Sequence, residues 1–363
     1  MTVKTHHPGI ELNELLQEEG LSQRELSSII QIAPSHLNNI FNGNRNINTD
    51  IAIRLEAAGL KNAAYWLEKQ MYFDLELSKE DDKISENAVN INTWREIQKH
   101  IPVSYFKKQG IIGTDLPNNI KAIFEVYNVK DKKSFIDKVE DYKFIHFRKS
   151  AAFSETRHNV IAWSLFAENK VKDLKVEKFI IEKREELIIK LRDLFNKNKN
   201  TIEGAKKLLR SYGIKFDTLD RPSKTPVDGK SFMSGKNPAI VLSLKYKRLD
   251  NFAFTLMHEL GHVFLHLTKK GGHSQESFFT NNSQNDQLEA EANIFARNSL
   301  IPQKDWNNFI LESPNFRDEF ILKFSKKVNI HPAIVRGRVC YEYNNYYRRA
   351  SDITTINKIH PVE

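Results

Sequence analysis

Apolar residues recur at helical spacing in short bursts through residues 8–72, and glycines punctuate the bursts. The pattern predicts helices over 10–18, 22–30, 34–41, 50–58 and 63–75, with Gly20, Gly43 and Gly59 placed where helices stop. Ser22 with Glu25 three positions later has the spacing of a capping box. Residues 78–90, SKEDDKISENAVN, are polar and nearly devoid of large apolar groups, and read as a linker. Helical spacing returns from Thr93 to about Leu209, in WREIQKHI, NNIKAIFEVY and EELIIKLRDLF, which predicts a helical middle region over 91–210. A turn-rich stretch over 217–230 follows, then the β-branched run PAIVLSL (238–244), which reads as a strand. Helices are expected over 252–267 and 287–298, and residues 346–363 read as a tail. The fold class expected is mainly α with a small β-sheet: an all-α N-terminal domain (1–77), the middle region, and an α+β domain (211–345).

Composition narrows the setting. The one cysteine, Cys340, has no partner for an internal disulfide and stands in no metal-ligand spacing, which points to a reducing compartment. The first residues carry no signal-peptide pattern, and no stretch approaches the ~20 apolar residues of a membrane span. A cytoplasmic location without membrane contact is therefore expected. The formal net charge of +9 permits nucleic-acid binding. The excess lies downstream, however: residues 1–75 hold six basic side chains against nine acidic ones.

The densest chemistry is in FAFTLMHELGHVFLHL (252–267). His258 and His262 are four apart, so a helix puts both imidazoles on one face, where they can hold one Zn2+ ion. Glu259 then stands beside the metal as the general base that activates water. Burying these three groups in an apolar helix is costly unless they are paired or metal-bound. His266 lies about 12 Å along a straight helix from His258, too far to share an ion with it, and reads as structural. The third ligand is expected on QLEAEANIFARN (287–298). Glu291 shares a face with Leu288, Ile294 and Phe295, an apolar face expected to turn toward the core and the active-site helix, and is the preferred ligand. Glu289 sits beside Ala292, Asn293 and Ala296, a small-residue face that also permits close approach. The Ala239–Ser243 strand is the expected edge for pairing with a substrate.

At these residues the chain resembles the ImmA/IrrE metallopeptidases, in LDNFAFTLMHELGHVFLH (249–266), EAEANIFARNSLIP (289–302) and IHPAIVRGRV (330–339). The resemblance covers roughly 145 to 345. It implies a zincin-like fold, zinc on His258, His262 and Glu291, Glu259 as base, and a regulatory protein such as a repressor as substrate. Arg297 and Asn298 depart mildly from the family, standing where many members have small or acidic residues.

The N-terminal stretch resembles the HigA branch of lambda-repressor-like (XRE) helix-turn-helix antitoxins, in HPGIELNELL (7–16), GLSQRELS (20–27), FNGNRNINTDIAIRLEAA (41–58) and YWLEKQMYFDL (65–75). The resemblance implies that helix 34–41 lies in the major groove of an operator. Ser35, His36 and Asn39, flanked by Asn38, then reach base edges, and Gln23, Asn42, Asn44 and Arg45 suit phosphates. A homodimer on a two-fold site follows. The preferred expectation is a DNA-binding regulator with its own endopeptidase. The alternatives are an antitoxin-like repressor whose C-terminal domain binds a partner such as a cognate toxin without cleaving, and a stress sensor in which metal occupancy or a ligand switches DNA binding.

Overall fold

Five helices and most of a sixth make up the first of two units into which the computed structural model divides, one ending at Thr93 and one beginning at Trp94. The structure describes residues 6–146, 157–244, 246–268, 278–280, 287–313 and 315–359. The helices are α1 (Pro8–Glu18), α2 (Gln23–Ile29), α3 (Pro34–Phe41), α4 (Thr49–Ala57) and α5 (Ala63–Glu80). Their apolar stripes meet in one core containing Leu12, Leu26, Leu37, Ile40, Ile51 and Trp66. Gly9 lets α1 close on α3, since a Cβ there would collide with the Ile40 carbonyl. Gly20, Gly43 and Gly59 all have positive φ at helix ends, as the sequence pattern predicts. The Ser22–Glu25 capping box forms in both directions.

The stretch expected as a linker is helical. It comprises the end of α5 and most of α6 (Asp82–Gln98), with Asp81 between them in an extended conformation and its carboxylate capping Lys83 and Ile84. Its side chains are almost all exposed, so no apolar stripe marks it as helix.

The second unit is a sheet between two helical layers. Before the sheet come α7 (Val103–Lys108), α8 (Leu116–Tyr127), α9 (Lys132–His146), α10 (Arg157–Lys172), α11 (Arg184–Lys197) and α12 (Thr201–Ser211). The strands are β1 (Lys215–Thr218), β2 (Gly229–Ser234), β3 (Asn237–Leu242) and β4 (Phe278–Thr280). Interleaved with and following them are α13 (Leu249–His262), α14 (Gln287–Leu300), α15 (Gln303–Glu312), α16 (Asp318–Val328) and α17 (Pro332–Glu342). The sheet order is β1-β3-β2-β4, with β1 parallel to β3 and the other pairs antiparallel.

The central strand β3 is buried on both faces, which is why it reads as an unbroken apolar run. Ala239 and Val241 face a core with Ile123, Phe135, Ile161 and Trp163, whereas Ile240 and Leu242 face a core built on α11, α12, α13, α16 and α17. The predicted boundary at 210 therefore cuts through this second core, to which Leu187, Leu191, Phe195 and Leu209 belong. The expected tail is also part of it. Tyr346, Ile353 and Ile359 are buried there, and Asn357 accepts a hydrogen bond from the Asp250 N–H at the start of α13.

Candidate metal centre

Helix α13 lies in the second core with His258, Glu259 and His262 all buried. It continues into one π-helical turn, Val263–Leu267, which carries His266. Helix α14 runs antiparallel beside it. Gly261 makes the close approach possible: a Cβ there would stand 3.0 Å from the Ala292 Cα. The small-residue face of α14 thus meets the metal-site helix.

This approach decides the third donor. Glu289 reaches both imidazoles, with its oxygens 3.3 Å from His258 Nε2 and 3.3 Å from His262 Nε2, and the two Nε2 atoms lie 3.0 Å apart. Two ligands held at ~2.0–2.1 Å on a tetrahedral ion lie about 3.3 Å apart, so the trio has the spacing of three ligands to one divalent metal ion. Among the described residues, His258, His262 and Glu289 form a convergent set of the kind that holds a metal ion. Glu291, the expected ligand, is not in it. The face it shares with Leu288, Ile294 and Phe295 does not lie over the two imidazoles: Phe295 packs beside Gly261 and Phe264, Glu291 reaches His266, and Ile294 is 50% exposed.

Glu291 belongs to a chain of contacts behind the trio. Its Oε2 lies 3.2 Å from His266 Nε2, and its Oε1 accepts from Gln287. The other ring nitrogen of His266, Nδ1, lies 3.0 Å from Nδ1 of His262. Were His262 to hold a metal through Nε2, its Nδ1–H would be directed at His266, whose own Nε2–H would then point to Glu291. On the other side, the Asn293 side-chain oxygen lies 3.0 Å from His258 Nδ1 and fixes that ring in the same sense. Sequence reasoning assigned no role to Asn293, although the i, i+4 step from Glu289 places it on the donor face.

Electrostatics follow the packing. Burial opposes ionisation of Glu289, yet hydrogen bonds and charge from His258 and His262 bring its pKa down to about 2. Burial holds the His262 imidazole below its ordinary value, against the pull of Glu289, so the neutral form that binds metals is favoured. For His258 burial is outweighed by Glu289 and by the charge of Glu259, and its pKa is raised. The Glu259 carboxylate lies against β2, where a Cβ at Gly229 would collide with Oε1. That strand glycine marks a close approach the sequence does not advertise. β3, the expected pairing edge, is internal, with β1 on one side and β2 on the other, so it has no edge to offer a substrate.

In the first unit α2 and α3 are tied together by Gln23 Nε2 donating to the Pro34 carbonyl, and Ser27 Oγ bonds the Ile32 carbonyl. Arg54 donates to the Ile30 carbonyl beneath the turn. Ser35, Asn38, Asn39 and Asn42 are exposed and lie along one side of α3. Asn44 and Arg45 follow, exposed, with their N–H groups on the Asn39 carbonyl. His36 is partly buried, and burial together with Arg45 lowers its pKa. Gln23 spends part of its amide inside the fold.

The family profile described as IrrE N-terminal-like domain, a peptidase family, matches residues 210–335, the stretch that holds all four strands and α13 to α16. A helix-turn-helix profile matches residues 12–59. The chain joins a helix-turn-helix domain to an IrrE-like peptidase domain. The virulence-associated protein I of Dichelobacter nodosus is 35% identical over 91 residues, covering 24% of this chain and 83% of that protein. A solved structure of a putative antidote protein of a plasmid maintenance system from Nostoc punctiforme is 28% identical, covering 24% of this chain and 96% of that one at a TM-score of 0.22. An addiction module antidote protein of a HigA family from Coxiella burnetii is 28% identical, covering 23% and 95% at a TM-score of 0.22. Among the described residues no helix is long and apolar enough to cross a membrane. In the IrrE-like unit, the metal-fitting trio and Glu259 all fall inside the matched segment.

Proposed function

We propose that this chain is a DNA-binding regulator whose IrrE-like unit is a zinc-dependent endopeptidase that cleaves a regulatory protein. The observation that carries the reading is the convergence of His258, His262 and Glu289 with Glu259 next to them on α13. Zinc bound there supplies a Lewis acid for the scissile carbonyl and a water whose pKa falls toward ~7. The residues do the rest. The Glu259 carboxylate accepts the proton of the attacking water and delivers it to the departing amine nitrogen. Asn293 and His266 hold the two imidazoles in one orientation, and the buried setting of Glu259 strengthens its electrostatic effect on the reaction. In the first unit, the exposed side of α3 with Ser35, Asn38 and Asn39, and the partly buried His36 beside it, reads bases, while Gln23, Asn42, Asn44 and Arg45 contact phosphates of an operator bound by a homodimer.

Metal analysis of the purified chain beside a cleavage assay on candidate repressors tests the reading. About one zinc per chain is expected, together with cleavage that Glu259→Gln abolishes while retaining the metal. A chain without bound metal, or cleavage that persists in the variant, overturns it.

A further inference from the structure

The cleft between α13 and α14 does not end at the metal-fitting trio. One turn before His258 stands Phe254, whose ring centroid is 6.3 Å from that of His258. One turn beyond Asn293 on the antiparallel α14 stands Arg297. Between these two walls opens a cavity of about 360 Å3, continued by Asn251, Ile301, Ile334 and Tyr341. Four residues of helix advance about 6 Å, which two residues of an extended peptide also span. A side chain within two residues of the scissile bond therefore comes within reach of this cavity.

Its chemistry is selective. The walls are largely aromatic and aliphatic, with Phe254 and Tyr341 stacked at 6.4 Å. Volume and lining are those of a site for one large apolar group. Three arginines border it, and two are committed. Arg248 is paired with Asp250. Arg338 is held by Glu342 and by the carbonyls of Arg297 and Ile301, with its guanidinium over Trp306. Arg297 is partly exposed and has no carboxylate partner among the described residues. Its charge also bears on Arg338, whose pKa burial lowers first and Arg297 lowers further, so an incoming anion relieves repulsion between the two.

We propose that this cavity is the specificity pocket of the chain, taking a large apolar side chain within two residues of the cleaved bond, with Arg297 pairing an acidic residue next to it. The inference rests on the endopeptidase reading but is tested by binding. The zinc-loaded full chain carrying Glu259→Gln is titrated, by fluorescence anisotropy, with labelled glycine-serine peptides holding Phe-Asp, Ala-Asp, Phe-Lys or Ala-Lys at the centre. Phe-Asp is expected to bind about tenfold tighter than Ala-Asp and about threefold tighter than Phe-Lys, since the pair is at a solvated rim. Adding Arg297→Glu reverses the Asp and Lys order and keeps the preference for Phe. Adding Asn251→Trp, which fills the cavity from a partly exposed wall, removes the preference for Phe. Equal binding of all four peptides overturns the proposal, as does a Phe preference untouched by Asn251→Trp. The same peptides are offered to the chain with Glu259 intact. Selective binding without cleavage counts against the endopeptidase reading alone, and cleavage without a Phe preference counts against the pocket alone.

Discussion

Glu289 and Glu291 stand two positions apart on α14 and meet different partners. Glu289 spans the two Nε2 atoms, and Glu291 anchors His266 behind His262. In the proposed zinc site the first is a ligand and the second a support, so their removal is expected to have graded consequences. Glu289→Ala is expected to abolish tight zinc binding. Glu291→Ala and His266→Ala are expected to weaken it about 10–100-fold, the cost of losing an outer hydrogen bond to a ligand imidazole. Zinc affinities from competition with a chromogenic chelator check the order, and a larger loss for Glu291→Ala than for Glu289→Ala overturns the assignment. The sequence made the opposite choice attractive for a physical reason. Leu288, Ile294 and Phe295 form the larger apolar face of α14, and burial usually follows apolar area. Here the distance of approach decides instead. Gly261 on one helix and Ala292 and Ala296 on the other let the backbones come together, and the carboxylate on the small-residue face is the one that arrives.

At the scale of elements, two helices begin with the same device. His7 precedes Pro8 at the start of α1 and His331 precedes Pro332 at the start of α17, and each imidazole Nδ1 accepts the N–H of the second residue on. Proline tolerates the first helical turn, and the neutral imidazole acts as the cap. Burial lowers the pKa of both rings. Below about pH 6.5 the unfolded chain binds protons that the folded one refuses. Stability is therefore fully present above that value and falls as the pH drops, since a charged ring loses its acceptor and meets the positive end of the helix. Amide exchange at the start of α1 is expected to accelerate between pH 7.5 and about 5.5, after correction for intrinsic rates, relative to His7→Asn, whose cap does not titrate. Faster relative opening at the higher pH sinks this account. Helix ends of this kind, and the glycines after α1, α3 and α4, were legible in the sequence because each is a local rule. The β2–β3 hairpin was not. Its turn is only Gly235-Lys236, and the first two residues of β2 read as part of a turn-rich stretch, because Gly229 is kept for approach to Glu259 rather than for a turn. The helices over 78–90 were hidden for the converse reason, being exposed nearly all round.

For the whole molecule, the two units have separate cores: Leu12 to Trp66 in the first, and the sheet with its two helical layers in the second. No residue of the metal-fitting trio lies in the first unit, and none of Ser35, Asn38, Asn39 or Arg45 lies in the second. Damage confined to one site should therefore leave the other function intact. Glu259→Gln is the sharpest such lesion. It keeps the shape of the side chain against Gly229, leaves His258, His262 and Glu289 in place, and removes the proposed base. The variant is expected to retain zinc and operator affinity within about twofold, while losing cleavage. Arg45→Ala should show the reverse, with cleavage retained and binding weakened on all DNA sequences and less steeply dependent on salt. In a reporter strain, Glu259→Gln should hold its operator and fail to respond to the inducing stress. A regulator that only captures a partner protein gives a different result: there the variant induces like the wild-type chain, since capture needs the surface of the second unit and not its base. An identical induction curve for the two chains rejects the endopeptidase reading even where zinc is bound. A variant that has lost DNA binding together with cleavage rejects the independence of the two units.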